Sequence, residues 1–229
     1  MSIEVKLTGM SMVCMTGSLT GSARANFSIS HLLAAASFSR AVSKLETENK
    51  GRPFGVFFED IQSNAIATVL TATAALESYA NELFVDHSTV FPDLPSPILV
   101  KLWEAYELKQ TLEKFELALL LLHKKEIDRG GSPYQDVVSL TKLRNALVHF
   151  KPEWTHQQVL HAKVSSALAG RIARSPFFVS DEPLFPRSWA SHSATAWAVT
   201  SVISFIRTFE RSGGLQERLE PYLDRLTSP

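Results

Sequence analysis

The sequence predicts an all-α protein, a helical bundle of about five or six helices preceded by a short N-terminal extended arm or β-hairpin. Apolar residues recur at steps of three and four from Ser28 onward, the spacing of a helix that buries one face. Prolines and paired glycines interrupt this pattern about once per helix length. With 229 residues, 45% hydrophobic and 20% charged, the chain has the composition of a packed globular protein.

Residues 1–27 differ from the rest of the chain. Ile3, Val5 and Leu7 alternate with polar residues, and Gly9 and Gly17 follow them. A period of two with glycine punctuation is typical of a hairpin or an extended arm. We therefore divide the chain into an arm at 1–27 and a helical-bundle domain at 28–229.

Three helices are predicted in the first half of the bundle. Ser28 or Ser30 is placed to cap the first, which ends near residue 49, and the second covers about 59–86. The third follows the prolines that end at Pro97 and has roughly 25–29 residues. Its apolar positions predict a continuous buried seam: Ala105, Leu108, Leu112, Phe115, Leu119 and Leu122.

Three further helices are predicted in the second half. The fourth begins after Pro133 and is stopped by Pro152, because a proline disfavours helix at the residue before it. The fifth covers about 155–173, and the proline-rich stretch 175–187 is a loop. The sixth, 188–211, is apolar nearly all round and is expected to be buried.

Cysteine content and hydropathy exclude several classes. The single Cys14 can form neither an internal disulfide nor a zinc cage. The longest apolar run, 117–122, is far shorter than the roughly 20 residues of a membrane span, and the N-terminus has no secretory signal. These features predict a cytoplasmic protein with no membrane association.

Charge is balanced overall but divided along the chain. There are 23 Lys and Arg residues and 23 Asp and Glu residues, so the formal net charge is zero. Segment 28–92 carries −3, whereas segment 132–174 carries +4 and is the most basic segment. A neutral balance argues against broad nonspecific binding to nucleic acid and favours a confined site.

The segment 143–150 in the fourth helix carries the candidate chemistry. At 100° per residue, the helix divides into a core face and a polar face that holds Lys142, Asn145 and His149. Arg144 lies between the faces, about 140° and about 7.5 Å from His149. The core face holds Leu140, Leu143, Leu147 and Phe150.

Arginine and histidine at this spacing suit phosphodiester chemistry. A histidine moves protons near neutral pH, and a guanidinium forks onto phosphate oxygens. The same residues also fit a simpler interpretation, in which a polar helix face lies in water opposite a core face.

The string Arg144-Asn145-Ala146-Leu147-Val148-His149 resembles the motif of the HEPN superfamily (higher eukaryotes and prokaryotes nucleotide-binding). Segment 75–83 also resembles the acidic helix that many members pack beside the motif, with Glu77 and Asn81 one turn apart. The resemblance covers about residues 30–170. It implies an all-α bundle, and many members are metal-independent ribonucleases of toxin–antitoxin and defence systems.

The resemblance also implies roles. His149 would act as general acid or base, Arg144 would stabilise charge on the phosphate, and Asn145 would position either group. Lys142, Glu77 and Asn81 would support them. RNA is then the substrate, cleaved by its own 2′-hydroxyl, and the partners are a second copy of the chain, meeting through the motif-bearing helix, and an antitoxin or the product of a neighbouring gene.

Two alternatives remain. One is a non-catalytic HEPN-like module that binds RNA, a nucleotide or a partner protein, and the other is a structural bundle in which Arg144 makes an internal salt bridge. No cofactor or metal is expected, because His149, His156 and His161 are spaced seven and five residues apart, without the i, i+4 pairing of a helical zinc site. The four tryptophans are expected to anchor the core or an interface.

Overall fold

The computed structural model describes residues 25–122, 126–154, 156–179 and 181–227. Every regular element in this part of the chain is helical, so the all-α class and the helical bundle are confirmed. The arm or hairpin predicted for residues 1–27 lies outside the described residues, apart from 25–27, which precede the first helix.

The described residues form nine α-helices, more than the five or six that periodicity predicts. Two of them, of four and five residues, are too short to show a helical period in the sequence. Irregular or 3₁₀ turns also cover Leu184–Ser188 and Glu220–Tyr222. In chain order the helices are α1 (Ser28–Glu48), α2 (Phe57–Val85), α3 (His87–Val90), α4 (Ser96–Tyr106), α5 (Thr111–Leu121), α6 (Ser132–Val148), α7 (Leu160–Leu168), α8 (His192–Gly213) and α9 (Leu223–Thr227).

The core is built around the antiparallel pair α1 and α2. The N-terminus of α1 lies beside the C-terminal part of α2, where Ser28 is hydrogen-bonded to Glu82 and His31 to Ser78. Helix α8 packs against α1, α2 and α6, and it is buried along most of its length, as its apolar sequence predicts. None of the helices in the described ranges combines the length and the apolarity needed to cross a membrane.

The N-terminus of α1 is capped by a distant carboxylate and not by its own serine. Glu82 of α2 accepts hydrogen bonds from the backbone N–H groups of Phe27 and Ser28, at 3.0 and 2.9 Å. Its second oxygen accepts from the Ser28 hydroxyl at 2.7 Å. The helix begins where the sequence predicts, but the cap predicted at Ser28 or Ser30 is supplied by tertiary structure.

The long third helix predicted from the sequence is two helices. Helix α4 ends at Tyr106 and α5 begins at Thr111, and Leu108 between them is 94% exposed. The continuous seam is therefore wrong at Leu108, although Phe115 and Leu119 are buried as predicted. Both helices pack on α2, since Trp103 of α4 stacks on Phe84 and Phe115 of α5 stacks on Tyr79. Phe115 also packs against Phe205 and Phe209 of α8.

Candidate functional site

Helix α6 presents the polar residues of the motif to solvent. Its N-terminus has Pro133 in the first turn, where a missing N–H costs nothing, and it ends at Val148. Leu140 and Leu143 are fully buried. Lys142, Asn145 and His149 are exposed, so the faces of this helix follow the helical wheel.

Phe150 departs from the wheel. The residue lies beyond the end of α6 and is 49% exposed, so its predicted core position is wrong. The wheel fails there because its geometry holds only inside the helix. The Phe150 ring instead stacks on His161 of α7, with ring centroids 5.4 Å apart and planes 24° apart.

A large cleft lies between the C-terminal half of α6 and α7, and we call it the lysine cleft. Its volume is about 970 Å³. The charged side chains that line it from the described ranges are all lysines, Lys142, Lys151 and Lys163, so the cleft favours an anion. The other lining residues are Asn145, Ala146, His149, Phe150, Leu160, His161, Ala162, Val164, Ser166, Ala167 and Phe185.

A second cleft, of about 490 Å³, lies on the α2 side of α6, and we call it the arginine cleft. Arg144 and Glu77 both line it, together with Lys109 of the α4–α5 loop. Arg144 is half-buried and donates from Nη1 to the Asn145 side-chain oxygen at 3.1 Å. It forms no ion pair with any residue that the structure describes, so nothing there supports the internal salt bridge of the structural-bundle interpretation.

The two ends of the motif open into different clefts. Arg144 lines the arginine cleft and His149 lines the lysine cleft, while Asn145 lines both. The His149 N–H donates to the Asn145 carbonyl oxygen at 2.9 Å and closes the last turn of α6. Asn145 is thus the residue through which the arginine and the histidine are connected.

Asn81 is engaged with a residue outside the motif. Its side-chain oxygen accepts from the Lys114 ammonium at 2.8 Å. Lys114 is only 1% exposed, and its ammonium also lies 5.2 Å from the centre of the Trp103 ring. Burial lowers the pKa of Lys114, and the Glu77 and Glu107 charges oppose that shift. Asn81 lines neither cleft, whereas Glu77 shares a cleft with Arg144.

The wall of the lysine cleft formed by α7 is held by Glu153 and His161. The Glu153 carboxylate accepts from the N–H of His161 at 2.9 Å and from the N–H of Leu160 at 2.9 and 3.0 Å. These hydrogen bonds from His161 and Leu160 lower the pKa of Glu153. His161 is buried, and its Nε2 donates to the Lys151 carbonyl oxygen at 2.9 Å. The segment after α6 is therefore fixed to the start of α7.

Sequence reasoning missed four of the residues that characterise this cleft. Lys151, His161 and Lys163 were not among the predicted site residues, and Phe150 was assigned to the core. All three cleft lysines lie in segment 132–174, and the net charge of +4 on that segment is the sequence feature that indicates them. Trp154, expected to anchor a core or interface, is 75% exposed on the same segment.

Within the described ranges, no cluster of three or more His, Cys, Asp or Glu residues is arranged to hold a metal ion. His161 lies next to Glu153, with Nδ1 3.9 Å from the carboxylate, but both side chains already serve the backbone contacts of α7. The described part of the site is therefore an all-helical, cationic cleft with one exposed histidine.

No protein-family model matches the chain, and no curated protein and no solved structure matches it either.

Proposed function

We propose that this protein is a HEPN-type endoribonuclease that cleaves RNA without a metal, through attack of the RNA 2′-hydroxyl on the adjacent phosphate. One observation carries the proposal: the exposed His149 opens into a cleft in which, among the described residues, the charged lining side chains are all lysines. A polyanion is attracted to such a surface, and a histidine can move protons there.

The chemistry needs a proton acceptor, a proton donor and a stabiliser of phosphate charge. His149 takes the proton from the 2′-hydroxyl or gives one to the 5′-oxygen as the P–O bond breaks, leaving a 2′,3′-cyclic phosphate and a 5′-hydroxyl. Arg144 donates hydrogen bonds to the phosphate oxygens. Asn145 holds Arg144 through its side-chain oxygen at 3.1 Å, and Glu77 offers a carboxylate in the same cleft.

A homodimer would bring together groups that one chain separates. Arg144 and His149 open into different clefts, and the exposed polar face of α6 between them carries Asn145. A second copy packed on this face would set the histidine of one chain near the arginine of the other. By the same resemblance the enzyme is toxin- or defence-like, acts on cytoplasmic RNA, and is restrained by an antitoxin or another partner.

The test is cleavage of labelled RNA by purified protein in EDTA, with analysis of the product ends. Wild type should leave cyclic phosphates, and Arg144→Ala or His149→Ala should lose cleavage by at least about 100-fold, the usual contribution of a general acid or base. Neither variant removes a core side chain, so thermal unfolding should shift by no more than about 3 °C. Lys44→Ala is the matched control, because Lys44 is exposed and lies on α1, far from the motif in the sequence. Full cleavage by the Arg144 and His149 double variant would exclude this site.

The second candidate is a non-catalytic module that binds RNA or a nucleotide, with Arg144 as an anion anchor. Arg144 and His149 of one chain open into different clefts, and this separation favours the binding module. One chain can then bind a phosphate through Arg144 without that phosphate contacting His149. RNA binding with intact product ends, in a protein that light scattering finds to be monomeric, would favour the module over the nuclease.

A further inference from the structure

The aromatic ring of Phe150 lies in the wall of the lysine cleft. His161 supports one side of the ring by stacking at 5.4 Å, and Phe185 lies 6.1 Å away. About half of Phe150 nevertheless remains exposed, at 49%. His161 is itself buried and hydrogen-bonded to the Lys151 carbonyl oxygen, so the supporting ring is fixed. A solvent-exposed phenylalanine on a rigid support loses little conformational freedom when a ligand covers it.

Three lysines line the same cleft as this ring, whose other edge borders a smaller cavity lined by Glu153 and Glu182. Lys151 follows Phe150 in the chain, and Lys142 and Lys163 line the lysine cleft from α6 and α7. No carboxylate in the described part of the chain lines the lysine cleft, and the nearby Glu153 is bound to the N–H groups that begin α7. An aromatic surface bordered by lysines is the combination that binds single-stranded nucleic acid, with bases stacked on rings and phosphates near ammonium groups.

We propose that Phe150 is the base-stacking platform of the lysine cleft, and that Lys142, Lys151 and Lys163 hold phosphates of the same unpaired RNA segment. The inference rests on the proposed function in taking RNA as the ligand, and it adds how the strand is held. A duplex is a poorer ligand, since its bases are already stacked on one another and its phosphates are held in a fixed helix.

The probe is a fluorescent 2′-O-methyl RNA of about 12 nucleotides, a length within the range bound by single-strand-binding folds. This RNA has no free 2′-hydroxyl, so it stays intact even if the protein is a nuclease. Fluorescence anisotropy with the single strand and with its duplex then measures binding alone. The result is independent of whether unmodified RNA is cleaved in the separate nuclease assay.

Phe150→Ala and Phe150→Leu should weaken single-strand binding by about 5- to 150-fold, the loss expected when one stacked base loses its ring. Phe150→Tyr and Phe150→Trp keep an aromatic face and should bind within about threefold of wild type. Leucine separates stacking from packing, because it keeps an apolar contact with His161 but has no ring. Phe54→Ala is the matched control, since Phe54 is similarly exposed at 53% and lies outside the lysine cleft.

Three results would overturn the platform. The first is binding of the single strand by Phe150→Leu as tight as by wild type, and the second is binding of the duplex as tight as of the single strand. The third is a change of particle mass in light scattering for Phe150→Ala while RNA affinity stays constant. The last would assign the exposed ring to contact between copies of the chain. Loss of binding in Phe150→Leu together with absent cleavage of natural RNA would keep the platform and reject the nuclease.

Discussion

At the scale of single residues, Glu153 connects the end of the motif segment to the helix that completes the lysine cleft. Its two oxygens accept three hydrogen bonds from the N–H groups of Leu160 and His161. These are donors that the first turn of a helix otherwise leaves unsatisfied, and the positive end of the helix dipole attracts the carboxylate. Glu153 thereby sets where α7 begins and where Lys163 is presented.

We expect Glu153→Gln to lower the free energy of unfolding at pH 7, and the loss to disappear in acid. The folded state lowers the pKa of Glu153 below its ordinary value of 4.5, so the ionised carboxylate stabilises the fold at higher pH. That stabilisation is complete above about pH 4.5 and is lost as the pH falls through the lowered folded-state pKa. Urea unfolding of both proteins between pH 7 and pH 3 measures the difference.

The control for Glu153 is Glu48→Gln, an exposed carboxylate that only faces Lys44 at 3.8 Å on the same helix. Such a surface pair contributes little, so the unfolding free energy of this variant should follow wild type across the pH range. A constant gap between wild type and Glu153→Gln from pH 7 to pH 3 would show that the carboxylate charge is not what fixes the start of α7.

At the scale of helices, α4 ends at a point where the apolar periodicity of the sequence would continue the helix into α5. Apolar residues keep their spacing of three and four across residues 105–122. The helix nevertheless stops at Tyr106, and a new one begins at Thr111. Phe115 of α5 contacts both Tyr79 of α2 and Phe205 of α8, whereas Leu108 at the break is exposed.

Substitutions on either side of this break test it. Leu108→Lys should change the free energy of unfolding by less than about 0.5 kcal/mol, because Leu108 is 94% exposed. Phe115→Ala should cost about 3–5 kcal/mol, because the fully buried ring contacts Phe205 and Phe209. Urea denaturation measures both. A cost of about 2 kcal/mol or more for Leu108→Lys would instead fit a single long helix with Leu108 in its seam.

Helix ends that depend on local chemistry were predictable from the sequence. The end of α1, predicted near residue 49, falls at Glu48, and the end of α6 falls at Val148, before Pro152 as predicted. The start of α6 was predicted after Pro133 but falls at Ser132, so that Pro133 lies in its first turn. The start of α7 was predicted at 155 but falls at Leu160, because Glu153 supplies its acceptor from seven residues away. The short helices, and the break between α4 and α5, leave no comparable signal in the sequence.

The candidate site, like the helix ends, could be predicted only in part from the sequence. The polar face of α6, with Lys142, Asn145 and His149, follows from the helical period. The lysine cleft does not, because Lys151 lies beyond the helix and Lys163 belongs to α7, whose position against α6 depends on packing. The sequence contains the lysines, but only the fold brings them to one cleft.

At the scale of the whole molecule, a zero net charge coexists with a cationic site. Segment 132–174 carries +4 and contains every lysine of the lysine cleft. Several acidic residues elsewhere are engaged inside the fold, as Glu82 is at the start of α1 and Glu210 is in its buried hydrogen bond from Tyr79 at 2.6 Å. Attraction for a polyanion is therefore local and short in range, since salt screens it over about 8–10 Å.

This confined charge predicts how RNA binding depends on salt. If three lysines each neutralise one phosphate of a single strand, a plot of log affinity against log salt should have a slope of about −2. Replacing Lys142, Lys151 and Lys163 with glutamine should bring the slope close to zero.

The control replaces three exposed lysines elsewhere, Lys44, Lys50 and Lys101, which changes the net charge equally but should leave the slope near −2. Anisotropy titrations with the 2′-O-methyl strand from about 50 to 200 mM salt measure all three slopes. Equal flattening by both sets would mean that the whole molecule, and not the lysine cleft, attracts the strand.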